Sequence, residues 1–164
     1  MANLYNRKKE EKINKDTAKV KIARYCAYQE RAHKEVEEKL KSYGLNYSEV
    51  EDLLAWLITE NYVNEERYAV TVAGGKFRAK KWGKLKIQQL LKQKDISEYS
   101  INKALDQIEE EEYLHTLEQL VRNKWEKTTA PNVYELRNKV AKFVIGKGFE
   151  PELTWTLIKD LIKG

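Results

Sequence analysis

One cysteine, two prolines, two histidines and seven glycines are all that this chain of 164 residues carries of those types. A lone Cys26 excludes a disulfide framework, and with only His33 and His115 beside it a zinc site built from Cys and His runs out of ligands. So little glycine and proline argues against an all-β protein, which needs turn residues at every hairpin. No apolar run approaches the ~20 residues that span a bilayer, and the N-terminus has no apolar signal core. The expectation is a soluble, cytoplasmic, mainly helical chain with no membrane partner.

Signs of catalysis are equally scarce. Nothing in the sequence places a nucleophile beside either histidine. The stretch Ala73-Gly-Gly-Lys76 lacks the G-x-x-x-x-G-K-[ST] spacing of a phosphate loop, and Phe77 stands where a hydroxyl would hold magnesium. No catalytic residue, no cofactor and no metal ligand is therefore expected.

What the chain does have is charge. Lysine and arginine number 31 against 26 acids, a net charge of +5, and charged residues make up 35% of the sequence. Counted by position, that excess lies in residues 1–24, where eight cations face three acids. The rest is neutral only because opposed blocks cancel. Residues 76–94 carry eight cations and no acid, while residues 95–120 carry eight acids and one lysine. Segregation of this kind points to one face for an anion and another for a basic partner.

Helical periodicity runs throughout. Val36, Leu40 and Tyr43 share one stripe, as do Val50, Leu53, Leu54 and Leu57; Ile87, Leu90 and Leu91; Ile101, Ala104, Leu105 and Ile108; and Leu136, Val140, Phe143 and Val144. Gly44 suits a C-cap, Ser48 with Glu51 and Asn132 with Glu135 suit capping boxes, and Pro151 suits a first helical turn. The stretch 127–131, KTTAP, reads as a loop. The stripes also recur. Val36, Leu40, Leu45, Val50, Leu54 and Leu57 return 51 residues later as Ile87, Leu91, Ile96, Ile101, Leu105 and Ile108. A third copy follows about 53 residues on, with Thr154 at one expected aliphatic position. The predicted fold is all-α: an elongated tandem array of three three-helix repeats, nine helices in all, over 17–62, 63–109 and 110–164. Helices are expected near 17–29, 32–43, 48–61, 65–80, 84–94, 98–109, 111–127, 132–146 and 151–163.

The block 76–94 is the first candidate binding site. Lys76, Arg78, Lys80, Lys81, Lys84, Lys86, Lys92 and Lys94 can neutralise phosphates, Phe77 and Trp82 interleave with them, and Gly83 allows backbone to approach a phosphate closely. The competing reading is a solvated helix face. Residues 1–16, with Arg7, Lys8 and Lys9, form a second candidate: a basic tail, disordered until bound, that grazes nucleic acid or merely aids solubility. The acids Glu109, Glu110, Glu111 and Glu112 are read as complements to a helix dipole rather than as a docking site. Trp56, Trp125 and Trp155 are assigned to packing, and Cys26 to a buried small hydrophobe.

Three segments carry a family resemblance: Tyr62-Val-Asn-Glu-Glu-Arg-Tyr-Ala69, then Lys84-Leu-Lys-Ile-Gln-Gln-Leu-Leu-Lys-Gln-Lys-Asp-Ile96, then Ile101-Asn-Lys-Ala-Leu105. Together they resemble the middle repeat of the RecX family of bacterial recombinase regulators. Glu35-Val-Glu-Glu-Lys-Leu40 with Gly44-Leu45, and Lys142-Phe-Val-Ile-Gly-Lys-Gly-Phe149, resemble its first and third repeats. The likeness runs from about residue 17 to the C-terminus. Departures are Asp95 where the family usually has Gly, Gln89 where it usually has Glu, a Trp82-Gly83-Lys84 turn, and Gly74-Gly75 inside the fourth predicted helix, where each Gly costs about 1 kcal/mol relative to Ala.

The resemblance implies a non-enzymatic regulator, monomeric, that binds a RecA-type recombinase filament on single-stranded DNA and restrains its ATP hydrolysis and strand exchange. The motif residues Arg67, Tyr68, Ala69 and Ile87 are expected to be structural. Two other readings stay open: an autonomous helix-turn-helix-like DNA binder, with Gln88 and Gln89 as its adjacent polar readers, and a helical adaptor whose partner is protein alone.

Overall fold

The computed structural model describes residues 12–164, and among them nine α-helices and no strand are found. They are α1 Lys15–Tyr28, α2 His33–Ser42, α3 Tyr47–Thr59, α4 Glu65–Lys80, α5 Lys84–Gln93, α6 Glu98–Asp106, α7 Glu110–Glu126, α8 Val133–Gly146 and α9 Pro151–Leu161. The chain divides into two compact units, Met1–Tyr68 and Ala69–Gly164.

In the first unit α1 packs on α2 and α3, and α2 packs on α3. Ala18, Ile22 and Cys26 of α1 meet Val36 and Leu40 of α2 and Val50, Leu53 and Leu57 of α3 in a closed core. Each set follows helical spacing, so one face of each helix leaves water, at about 1.5–3 kcal/mol per large aliphatic side chain. Local signals set the ends. Asn14 accepts from the Thr17 amide at 2.8 Å and caps α1. The box opening α3 is Asn46 with Glu49, two residues before the expected Ser48 with Glu51. Asn and Ser rank alike as N-caps, and the helix starts at the earlier of the two, with Glu49 closing the box on Asn46.

Residues 12–16, part of the tail expected over 1–16, are tied to the first three helices. The Ile13 amide donates to the Tyr43 carbonyl at 3.1 Å, and Lys12 and Lys15 pair with Glu49 and Asp52 at 3.5 and 2.9 Å. Residues 12–16 thus belong to the first unit. Arg7, Lys8 and Lys9 lie outside the described residues.

The unit boundary falls one turn into α4 because that turn bonds backwards. Asn64 caps α4 by accepting from the Arg67 amide at 2.9 Å. The Arg67 guanidinium donates to the Glu30 carboxylate and, through Nη2, to the Asn61 carbonyl at 3.0 Å. The Tyr68 hydroxyl donates to Glu35 at 3.0 Å. Burial, with the Glu35 carboxylate adding to it, pushes the Tyr68 phenol well above its ordinary value.

In the second unit α5 packs on α6, α7 on α8 and α9, and α8 on α9. The 51-residue and 53-residue shifts hold at the level of burial. Val36, Ile87 and Val140 are fully buried, as are Leu40, Leu91 and Val144. The second helix of each set of three also ends alike, on a left-handed residue: Gly44 at φ +79°, Asp95 at +56° and Gly148 at +100°. Asp95, a departure from the family's Gly, is among the few side-chain-bearing residues that tolerate this conformation. Gly74-Gly75 does not interrupt α4. A β-carbon at Gly74 would fall 2.4 Å from Arg78 Nη2, so the missing side chain makes room for a guanidinium, while at Gly75 it would meet nothing.

Candidate nucleic-acid interface

The turn between α4 and α5 is the most constrained part of the basic block. α4 closes with the Trp82 amide on the Lys76 carbonyl and the Lys81 amide on the Phe77 carbonyl, at 3.3 and 3.0 Å. This pattern needs a left-handed residue, and the residue there is Lys81, at φ +57°. Gly83 follows. A β-carbon on it would lie 2.3 Å from the backbone of Gly148 and Phe149. Its amide donates to the Lys147 carbonyl at 2.8 Å, and the Leu85 amide donates to the Gly148 carbonyl at 3.0 Å. The close approach that Gly83 permits is therefore to the α8–α9 turn. Its expected role of meeting a phosphate is corrected, because the backbone is already used and buried.

Tyr113, 3% exposed, locks the same corner. Its oxygen accepts from the Lys84 amide at 3.0 Å, which fills an orphan donor at the start of α5. Its proton goes to Glu150 at 2.8 Å. The ring stands between Phe77 and Phe149, with centroids at 5.7 and 5.0 Å. Burial, reinforced by Glu150 and opposed by the Lys84 amide, holds the phenol far above its ordinary value. Phe77 is 1% exposed and so is core, which removes it from the aromatic residues expected to interleave with the cations.

The eight cations of block 76–94 separate into three groups. Lys76 and Lys86 hold their ammonium groups over the half-buried Trp82 ring, at 5.1 and 4.4 Å from its centroid. Lys84 lies over Tyr113 at 4.9 Å, and Lys80 and Lys81 stand exposed at the end of α4. Arg78 lies across Gly74 in a recess of about 130 Å³ with Ala104, Gln107 and Ile108. Lys92 and Lys94 sit at the far end of α5, about 12 Å of helix beyond Lys84. The sequence missed one addition to the turn: the Lys147 ammonium donates to the Lys80 carbonyl at 2.8 Å. A contact 67 residues apart leaves no local signal. Arg67, Tyr68, Ala69 and Ile87 face inward or bond within the fold, as described above for the first two, while Ala69 and Ile87 are fully buried.

Chemically the corner offers cations and one partly covered indole, a surface for phosphates or carboxylates. Among the described residues no group of three His, Cys, Asp or Glu side chains could hold a metal. Cys26 is a buried thiol pushed up to about 11 by desolvation, with Arg31 pulling down and Glu30 pushing up, so it stays protonated and is a poor nucleophile at neutral pH. Glu109 stands at the N-cap position of α7 without a side-chain capping bond, and Glu110, Glu111 and Glu112 fill its first turn, where carboxylates meet the positive end of the helix dipole. None of the described helices is long and apolar enough to cross a membrane.

The family model for "RecX, second three-helix domain" matches residues 64–105, the segment that contains this turn. Chains named "Regulatory protein RecX" align over most of the sequence. That of Bacillus cytotoxicus is 23% identical over 137 residues, 84% of this chain and 51% of its own length. That of Lactobacillus gasseri is 27% identical over 151 residues, 92% of this chain and 56% of its own. A crystal structure of regulatory protein RecX superposes with a TM-score of 0.79 at 25% identity, covering 89% of this chain and 71% of the other. Over residues 64–105 the chain is similar to the second three-helix domain of RecX, and its likeness to RecX proteins runs over most of its length. The fold agrees as well with RecX from Lactobacillus salivarius, at a TM-score of 0.82 and 22% identity over 90% of this chain and 96% of that one. This chain spans about half the length of the Bacillus and Lactobacillus gasseri relatives. The RecX proteins it resembles are named as regulators.

Proposed function

We propose that the chain is a RecX-type regulator that binds a RecA-type recombinase filament on single-stranded DNA, in the cytoplasm, and lowers the filament's ATPase and strand-exchange activity without catalysis of its own. The observation that carries the reading is the corner built by Gly83, Gly148 and Tyr113. It holds Lys80, Lys81, Trp82 and Lys86 on a rigid backbone beside Lys147. Lys81 supports it further. A left-handed residue with a side chain costs about 1–2 kcal/mol relative to glycine, and here the cost is borne by a cation. Binding would be electrostatic and steric, with lysines neutralising filament phosphates or carboxylates, and hence steeply salt-dependent. Division into three repeats over 17–62, 63–109 and 110–164 belongs to the same proposal.

The test is to add the purified chain to preformed recombinase filaments and follow ATP hydrolysis with co-sedimentation. Slower hydrolysis with co-pelleting is expected. Unchanged hydrolysis at saturating protein, with no co-pelleting, rules the reading out. Replacing Lys80, Lys81, Lys84 and Lys86 together by Ala should weaken filament binding while helicity is kept; undiminished binding would move the site elsewhere.

A further inference from the structure

A second basic surface lies on α7, α8 and the loop between them, outside the basic block 76–94. An open groove of about 720 Å³ runs beside α7 and α8, lined by Lys124, Lys127, Lys139, Lys142 and Lys147 around Phe143, with Thr128, Thr129 and Gly146 filling the gaps. Among the described residues no carboxylate lines it. Three of its ammonium groups rest on partners that carry no opposite charge. Lys139 donates to the Thr129 carbonyl at 3.0 Å, Lys147 to the Lys80 carbonyl at 2.8 Å, and Lys124 sits over the Phe143 ring at 4.5 Å. Their positive charge is thus uncancelled locally. Phe143 is 39% exposed although helical spacing assigned it to the buried stripe of α8; Ala141 is buried in that helix instead. A β-carbon on Gly146 would meet nothing within 4 Å, so the groove floor is open there.

We propose that this groove binds single-stranded nucleic acid, with backbone phosphates on Lys139, Lys142 and Lys127 and one base stacked on Phe143. The proposal deepens the function above and rests on its nucleic-acid half. Lys139 to Lys147 spans about 12 Å of α8, room for a strand segment rather than for one small anion. Cations along a groove together with an exposed aromatic face are the two elements that sequence-tolerant strand binding uses. A run of carboxylates would engage the lysines but leave the ring unused. Lys124 now covers that ring; a base would displace its ammonium, which then turns to a phosphate and gains the opposite charge it lacks. Through Lys147 and Lys80 the groove is continuous with the turn after α4, so a strand can pass from one to the other.

The experiment uses the full chain, without recombinase, and a fluorescein-labelled oligothymidylate read by anisotropy across a salt series. Lys139→Ala with Lys142→Ala should weaken binding about tenfold at moderate salt and lower the slope of log K against log salt by about 1.4, since each lost cation contact on a single strand is worth about 0.7. Phe143→Leu should weaken it about tenfold with an unchanged slope, because stacking is lost and charge is not. Both Lys139 and Lys142 are exposed, so circular dichroism melts should match the parent's. Unchanged affinity and slope in both variants overturn the proposal. So does displacement of the oligomer by polyglutamate of equal charge at equal concentration, with Phe143→Leu silent, which makes the groove a docking site for an acidic protein surface. Parent and variants also go onto recombinase filaments. If the parent slows hydrolysis while the groove variants bind oligomer normally, the groove assignment falls and the regulator reading stands. If the parent leaves filaments untouched yet the variants lose oligomer, the reverse holds.

Discussion

Two segments of this chain, alike in sequence conspicuousness, are put to opposite uses. Asn64 to Ala69 holds the best-marked motif, and the structure spends it on internal bonds: Asn64 caps α4, Arg67 ties down Glu30 and the Asn61 carbonyl, and Tyr68 reaches Glu35. The turn from Lys80 to Lys86 departs from the RecX pattern that the chain resembles, yet its backbone is pinned to the α8–α9 turn, and Lys80 and Lys81 stand exposed on it. A motif's clarity in sequence tracks how many neighbours constrain each side chain. Surface cations need only charge, while the backbone beneath them is held by Gly83.

The comparison can be broken most severely at the pinned turn. Gly83→Ala should destabilise the second unit by about 3 kcal/mol, since the new methyl meets backbone that cannot yield; a denaturant midpoint near the parent's would contradict the close approach. Tyr113→Phe comes next, at about 2 kcal/mol, because it strands the Lys84 amide and the Glu150 carboxylate. That variant also has a pH signature. Tyr68 and Tyr113 stay protonated in the folded chain above their ordinary value near 10, whereas the unfolded chain releases those protons. The unfolded state therefore binds fewer protons above pH 10, and stability falls as pH rises from there. Urea midpoints measured from pH 9 to 11 should fall for the parent and fall less for Tyr113→Phe.

Arg67→Ala should cost about 1–2 kcal/mol by leaving Glu30 with one partner fewer, and should leave filament binding per folded molecule unchanged. Loss of binding without loss of stability would make Arg67 an interface residue and reverse the contrast. The smallest effects go the other way. Thr154→Val should stabilise by about 1 kcal/mol, because the Thr154 hydroxyl is buried with no partner at a position where the other repeats carry Val50 and Ile101. Gly75→Ala should add about 0.5–1 kcal/mol, as α4 gains propensity and the methyl meets empty space. Thermal melts of the two variants test both.

Most of the secondary structure was legible. The nine helices start and stop within three residues of the positions expected from periodicity and caps, because those signals act within one turn of chain. Errors cluster where a side chain's fate depends on a distant segment. Phe77 reads as an aromatic among cations until Tyr113 covers it, and Gly83 reads as a phosphate turn until Gly148 fills the space. Phe143 reads as core until Ala141 takes the buried place in α8.

Sequence alone determined that the chain is all-α, that its helices recur in a shifted pattern, and that its cations and acids are segregated, since each rests on spacing and composition. Tertiary structure decided which cations share a surface. Lys147 meets Lys80 and Lys139 meets Thr129 across gaps of 67 and 10 residues, while Lys92, eight residues from Lys84, lies at the other end of α5. Charge proximity is a through-space quantity, and packing of helix on helix alone sets it.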